Sequence, residues 1–217
     1  MKSLFYLIKK DIILEFRTKE IIIPYLLFSF LLLFLLSFGL ERIENIRLFS
    51  FFYFLSFIFA GMIGFERNIS LEFESGGIYF LLTFPIKREL IFISKTISMF
   101  LFQTVSGLIL MIIFSIFLNI SFPPLFPFLL ILILFSFGFS ILGTLLSFLT
   151  FSSRAKEFLL PILLIPLFIP PLIAGTKVLT LLFEEGIFKM NYLYFLVFFD
   201  TLYFFVSDLL FEYVILE

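Results

Sequence analysis

The chain has 217 residues, 62% of them hydrophobic and only 14% charged, with a formal net charge of −1. A soluble core of this size cannot hide so much apolar surface, so a soluble globular protein and a disordered one are both excluded. The solvent that suits the chain is a bilayer, in which each helical span takes about 20 apolar residues.

In chain order, residues 1–20 come first. Their apolar run is too short for a cleaved signal peptide and leads into charge. Within them, residues 3–17 read as a helix lying on the membrane. Leu4, Ile8, Ile12 and Phe16 recur every four residues, and Lys9, Lys10 and Arg17 can reach lipid phosphates. A plain basic anchor that sets topology is the other reading.

Spans follow at about 21–40 and 48–65. From Thr96 to Ser153 no residue is charged, too long a run for one helix in a hydrocarbon layer about 30 Å thick. Asn119, Pro123, Pro124 and Pro127 mark a reversal inside it, giving spans at about 93–118 and 126–151. A fifth span covers about 158–174 and contains Pro161, Pro166, Pro170 and Pro171. Either Pro170 and Pro171 end it, leaving 172–188 as a short outer-leaflet or re-entrant piece, or the prolines only kink it. A sixth span covers about 190–210. The runs are continuously apolar rather than alternating, which indicates helices and not a barrel. The predicted fold class is therefore all-α integral membrane, one domain of six transmembrane helices.

Lys and Arg placement sets the orientation. Eleven fall in 1–20, 66–95 and 152–157, and four on the opposite side of the six-span path. Both termini are thus expected in the cytoplasm, with Tyr25 and Tyr213 near the inner interface and Tyr192 and Tyr194 near the outer one.

The cytoplasmic segment 66–90 is the longest polar stretch between spans. Glu66 to Ser75 can project into water as an extension of span two, and Gly76 and Gly77 interrupt it. Ile78 to Phe84, with Phe80, Leu81 and Leu82, is a short apolar piece ended by Pro85. Such a patch needs lipid or a partner. It reads either as an interfacial helix or as a docking helix for a soluble partner, flanked by Glu72 and Glu74 before and by Lys87 and Arg88 after.

The types that are absent limit the chemistry. There is no His and no Cys, which removes thiolate and imidazole catalysis and the strong metal and haem ligands. Only Met62, Met99, Met111, Met190 or a Tyr could ligate haem axially. No phosphate-binding Gly-Lys-Ser/Thr loop occurs, so this chain is not expected to be a nucleotide-hydrolysing enzyme. Asp200 is the one acid in the apolar stretch from Met190 to Ser207. It reads as a polar contact between helices, with Thr201, Tyr203 and Ser207 as hydrogen-bond partners, or as a site on a transport path. Gln103 and Lys95 read as a helix–helix hydrogen bond and a snorkelling cation.

The residues Glu66-Arg67, Glu72, Glu74, Gly76, Leu81-Leu82, Pro85 and Lys95 carry a resemblance. So do Lys10-Asp11, Glu15, Arg17 and Glu20 at the start, and the proline-rich fifth span. Together they resemble the haem exporter protein B family, the membrane permeases of the cytochrome c maturation ABC transporter. The resemblance implies a type-2 exporter permease fold with an amino-terminal interfacial helix and a cytoplasmic coupling helix, in the cell inner membrane. It implies haem export or delivery in cytochrome c biogenesis, with haem as a transported or pathway ligand and no cofactor bound by this chain. It implies as partners a separate ATPase that performs the ATP hydrolysis, a haem-handling membrane subunit and a small single-span subunit, and two such ATPase chains per transporter would suit a homodimer of this one. ATPase coupling then falls to Glu66, Glu72, Glu74, Gly76, Gly77, Ile78, Phe80, Leu81, Leu82 and Pro85. A type-2 permease for lipid, glycan or drug, and a scaffold that moves nothing, are the alternatives.

Overall fold

The computed structural model describes residues 2–19, 21–39, 46–74, 76–77, 83, 87–151, 156–186 and 189–214. Among these are seven helices: α1 (Lys2–Thr18), α2 (Ile22–Gly39), α3 (Ile46–Glu74), α4 (Arg88–Phe117), α5 (Leu125–Phe151), α6 (Lys156–Glu184) and α7 (Met190–Val214). Apolar runs of this length become helices because a helix satisfies its own backbone donors and acceptors where no water is present.

Among the described residues, five helices are long and apolar enough to cross a membrane: Ile46–Phe73, Arg88–Phe117, Leu125–Phe151, Phe158–Glu184 and Met190–Phe211. A shorter apolar helix, Ile22–Leu35, lies within α2. The outward faces are apolar too, with Ile116, Phe126, Ile162 and Phe205 exposed. This is the architecture of an integral membrane protein.

α5 sits at the centre, packed against α3, α4, α6 and α7. Its core contacts are mostly aromatic. Phe135 lies 4.2 Å from Phe54 of α3, centroid to centroid, and Phe139 lies 5.1 Å from Phe168 of α6. Gly143 of α5 leaves the space that the Phe65 ring of α3 fills. Tyr53 of α3 donates to the Gly107 carbonyl of α4 at 2.9 Å.

The helices alternate in direction. At one end, Phe73 of α3 stacks on Phe151 of α5 at 3.5 Å, and Phe92 of α4 lies 4.6 Å from Phe211 of α7. At the other, Phe49 of α3 meets Phe114 of α4 and Phe183 of α6. α1 packs on α4. The start of the chain and the end of α7 therefore lie at the same end of the bundle.

The α4–α5 reversal falls between Phe117 and Leu125. Asn119 takes a positive φ of 52°, and the Pro124 carbonyl accepts the Phe128 amide at 3.1 Å to start α5.

Pro170 and Pro171 do not end the fifth long run. α6 continues through all four prolines to Glu184, so 172–184 is helix and not a re-entrant piece. Each proline removes one helical donor, but stopping the helix in apolar surroundings would leave several backbone groups unpaired instead.

Candidate functional site

The end of the bundle that holds α1 gathers charges where an apolar chain would be expected to exclude them. α1 presses on the bundle with Leu7, Asp11 and Glu15, one residue per turn, all buried. Leu4, Ile8 and Ile12 are only half-buried, and Ile12 packs against the core. The side chain of Phe16 lies outside the described residues. The outward face mixes Phe5, Tyr6, Ile13 and Leu14 with Lys9 and Arg17.

Asp11 meets Lys95, which is 3% exposed near the start of α4. The Lys95 ammonium donates to Asp11 Oδ1 at 2.9 Å and lies 2.7 Å from Glu72 Oε1, near the end of α3. Lys10 pairs with the same Glu72 oxygen and stands 3.3 Å from Asp11 Oδ1. Two ammonium groups and two carboxylates thus balance one another across three helices. Asn68 extends the group by accepting from Lys95 at 3.4 Å and donating to Met99 Sδ at 2.9 Å. Burial pulls the Lys10 ammonium towards its neutral form, but the Glu72 and Asp11 carboxylates outweigh it and hold its pKa above the ordinary 10.5. The group is mutually dependent: removing one partner leaves an uncompensated buried charge.

Glu15 ties α1 to α2. Its carboxylate accepts the Ile21 amide at 3.0 and 3.2 Å and the Ile22 amide at 2.8 Å. These are donors of the first turn of α2, which have no partner in their own helix, and a negative charge suits a helix start. Lys19, at a positive φ of 57°, makes the turn between the two helices.

Of the other residues expected from sequence, Glu66 is half-buried and lines a narrow cleft with Ser70, Ser147, Thr150 and Leu160. Gly76 has φ 71°, and its amide donates to the Phe73 carbonyl at 2.9 Å, so the chain turns just past α3. Gly77 follows it among the described residues. The Glu74 side chain and residues Ile78, Phe80, Leu81, Leu82 and Pro85 lie outside them.

Asp200 is remote from this group. It is 7% exposed on α7 and faces Gly138 of α5, where any Cβ would overlap its carboxylate. Its Oδ2 has no hydrogen-bond partner among the described residues. The neighbours expected to serve it act elsewhere: Thr201 donates to the Phe198 carbonyl at 2.8 Å and Tyr203 to the Leu167 carbonyl at 2.6 Å. Ser207 is buried without a partner among the described residues. Gln103 does bridge helices, donating to the Gly61 carbonyl at 3.4 Å.

The ionic role of Lys95 was missed from sequence. The available signal was a lysine at the edge of the 58-residue uncharged run 96–153, where an apolar helix favours a cation that finds a partner.

The family model described as CcmB protein matches residues 2–209. Heme exporter protein B of Rhodobacter capsulatus is 28% identical over 123 residues. That stretch covers 57% of this chain and 56% of the relative, so the chain matches about half the length of that protein.

Proposed function

As the chain belongs to the CcmB protein family, we propose that it is the membrane permease of a haem-exporting ABC transporter in cytochrome c maturation, driven by ATP hydrolysis on a separate subunit. In this reading α2 to α7 are the six spans and both termini are cytoplasmic. α1 lies on the inner interface, with Phe5 and Tyr6 towards lipid and Lys9 and Arg17 towards phosphates. The chain pairs as a homodimer in the inner membrane and works with a haem-handling subunit and a small single-span subunit. Haem is cargo or pathway ligand rather than a resident cofactor, because the chain has no His or Cys to hold it.

The observation that carries the reading is the charge group of Lys10, Asp11, Glu72 and Lys95. It stands two residues before the end of α3, where the chain enters the segment 78–84. An ATPase that grips Ile78, Phe80, Leu81 and Leu82 pulls on Glu72. Glu72 passes the motion to α4 through Lys95 and to α1 through Lys10 and Asp11. Glu74, Gly76, Gly77 and Pro85 shape the grip, and Glu66 stands on the same helix. This is rigid-body coupling through a packed polar contact. Asp200 belongs to the moving part of the bundle in this reading. Asp200→Asn keeps hydrogen bonding while removing the charge, and reduced ATP-dependent function with normal assembly is expected.

The test is affinity purification of the tagged chain from native membranes. An ATP-hydrolysing subunit should co-purify, and Phe80→Ala with Leu81→Ala should reduce its recovery while membrane insertion stays intact. Glu74→Lys should lower function per ATP hydrolysed more than it lowers recovery. Unchanged ATPase recovery and activity in both variants would reduce 78–84 to an interfacial helix.

A further inference from the structure

The carbonyl four residues before Pro171 is that of Leu167, and Pro171 has no N–H to give it. In an apolar surrounding such an acceptor must find a donor elsewhere. Tyr203 of α7 supplies one, its hydroxyl 2.6 Å from the Leu167 oxygen. The tyrosine is 4% exposed, and its ring stacks on Phe168 at 6.1 Å and 29°. One turn earlier on α7, Asp200 seats against Gly138 of α5. α7 is thus keyed into α5 at a glycine and into α6 at a proline.

We propose that Tyr203 is a positioning residue whose hydroxyl replaces the backbone donor that Pro171 removes, pinning the proline-interrupted part of α6 to α7. Beyond the pin, the two helices flank an open apolar cleft of about 400 Å³ between Ile169, Ile173 and Lys177 on α6 and Tyr192 and Phe195 on α7. At its far end the Lys177 ammonium lies 5.6 Å from the centre of the Tyr192 ring. Prolines are where a helix bends, so the pin sets how far the two walls of this cleft stand apart. Without it, α6 pivots at Pro170 and Pro171. The inference does not depend on ATP coupling or on haem.

A double-mutant cycle on the full chain in detergent tests it. Tyr203→Phe removes only the hydroxyl and should lower the thermal unfolding midpoint. Pro171→Ala restores an N–H that can donate to Leu167, and in that background Tyr203→Phe should leave the midpoint unchanged. An equal drop in both backgrounds, or no drop in either, overturns the proposal. Should Pro171→Ala fail to fold, hydrogen exchange of Tyr203→Phe against the parent decides. Faster exchange at residues 172–175 with α5 unchanged supports the pin, and no change there, or equal acceleration throughout α5, overturns it.

Discussion

Lys95 and Asp11 are 84 positions apart in sequence and 2.9 Å apart in the structure. Both are almost wholly buried, so an ionic contact joins the apolar ones of Leu7 and Ile12 in holding α1 to the bundle. A buried pair gains little over a well-packed apolar one, but breaking it is costly. The arrangement makes α1 sensitive to any displacement of α3 or α4.

Lys95→Met keeps the volume and removes the charge, leaving Asp11 and Glu72 facing each other across Lys10. We expect a loss of about 3–5 kcal/mol, the usual cost of an orphaned buried charge. Thermal unfolding in detergent checks the magnitude. Limited proteolysis should cut within α1 in the variant before any other helix opens.

Glu15→Ala removes the acceptor for the Ile21 and Ile22 amides. The expected cost is that of a lost helix cap, about 0.5–2 kcal/mol. Hydrogen exchange should accelerate at residues 21–23 and remain at parental rates in α5.

The pH dependence of Lys10 has a definite sign. Its folded pKa is raised above 10.5, so its stabilising contribution is complete below that value and is lost as pH rises through the raised one. The difference in unfolding midpoint between the parent and Lys10→Met should therefore be constant from about pH 6 to about pH 9. It should shrink only in strongly alkaline solution. A difference that shrinks below about pH 9 contradicts the assignment.

The absence of cysteine makes topology directly measurable. A single Cys placed at Asn119, the α4–α5 turn, should react with impermeant maleimide only from outside the cell. One placed at Lys9 should react only after the membrane is opened. Labelling of Asn119→Cys from the cytoplasmic side alone overturns the orientation.

The long apolar helices were legible because in a bilayer composition decides the element, and the α4–α5 turn because three prolines cluster there. The course of α6 was not legible, because whether Pro171 stops a helix depends on a donor from another helix, here Tyr203. The inward face of α1 was hidden for a related reason. The apolar period of Leu4, Ile8 and Ile12 suggests one face, while the structure turns Leu7, Asp11 and Glu15 inward. Carboxylates can face a bundle only where donors meet them, and the donors that meet Asp11 and Glu15 include Lys95 of α4 and the first amides of α2, far along the chain or beyond the helix end. The resemblance residues Lys10, Asp11, Glu72 and Lys95 were visible separately, and only packing brings them together.

The proposed role in haem delivery to cytochrome c is open to a direct test in cells. The most direct measurement is the yield of holo-cytochrome c in cells lacking the chain, then supplied with the parent or with Lys95→Met. Holo-cytochrome c should be lost without the chain, restored by the parent, and restored weakly or not at all by Lys95→Met. Undiminished holo-cytochrome c in cells lacking the chain would contradict that role.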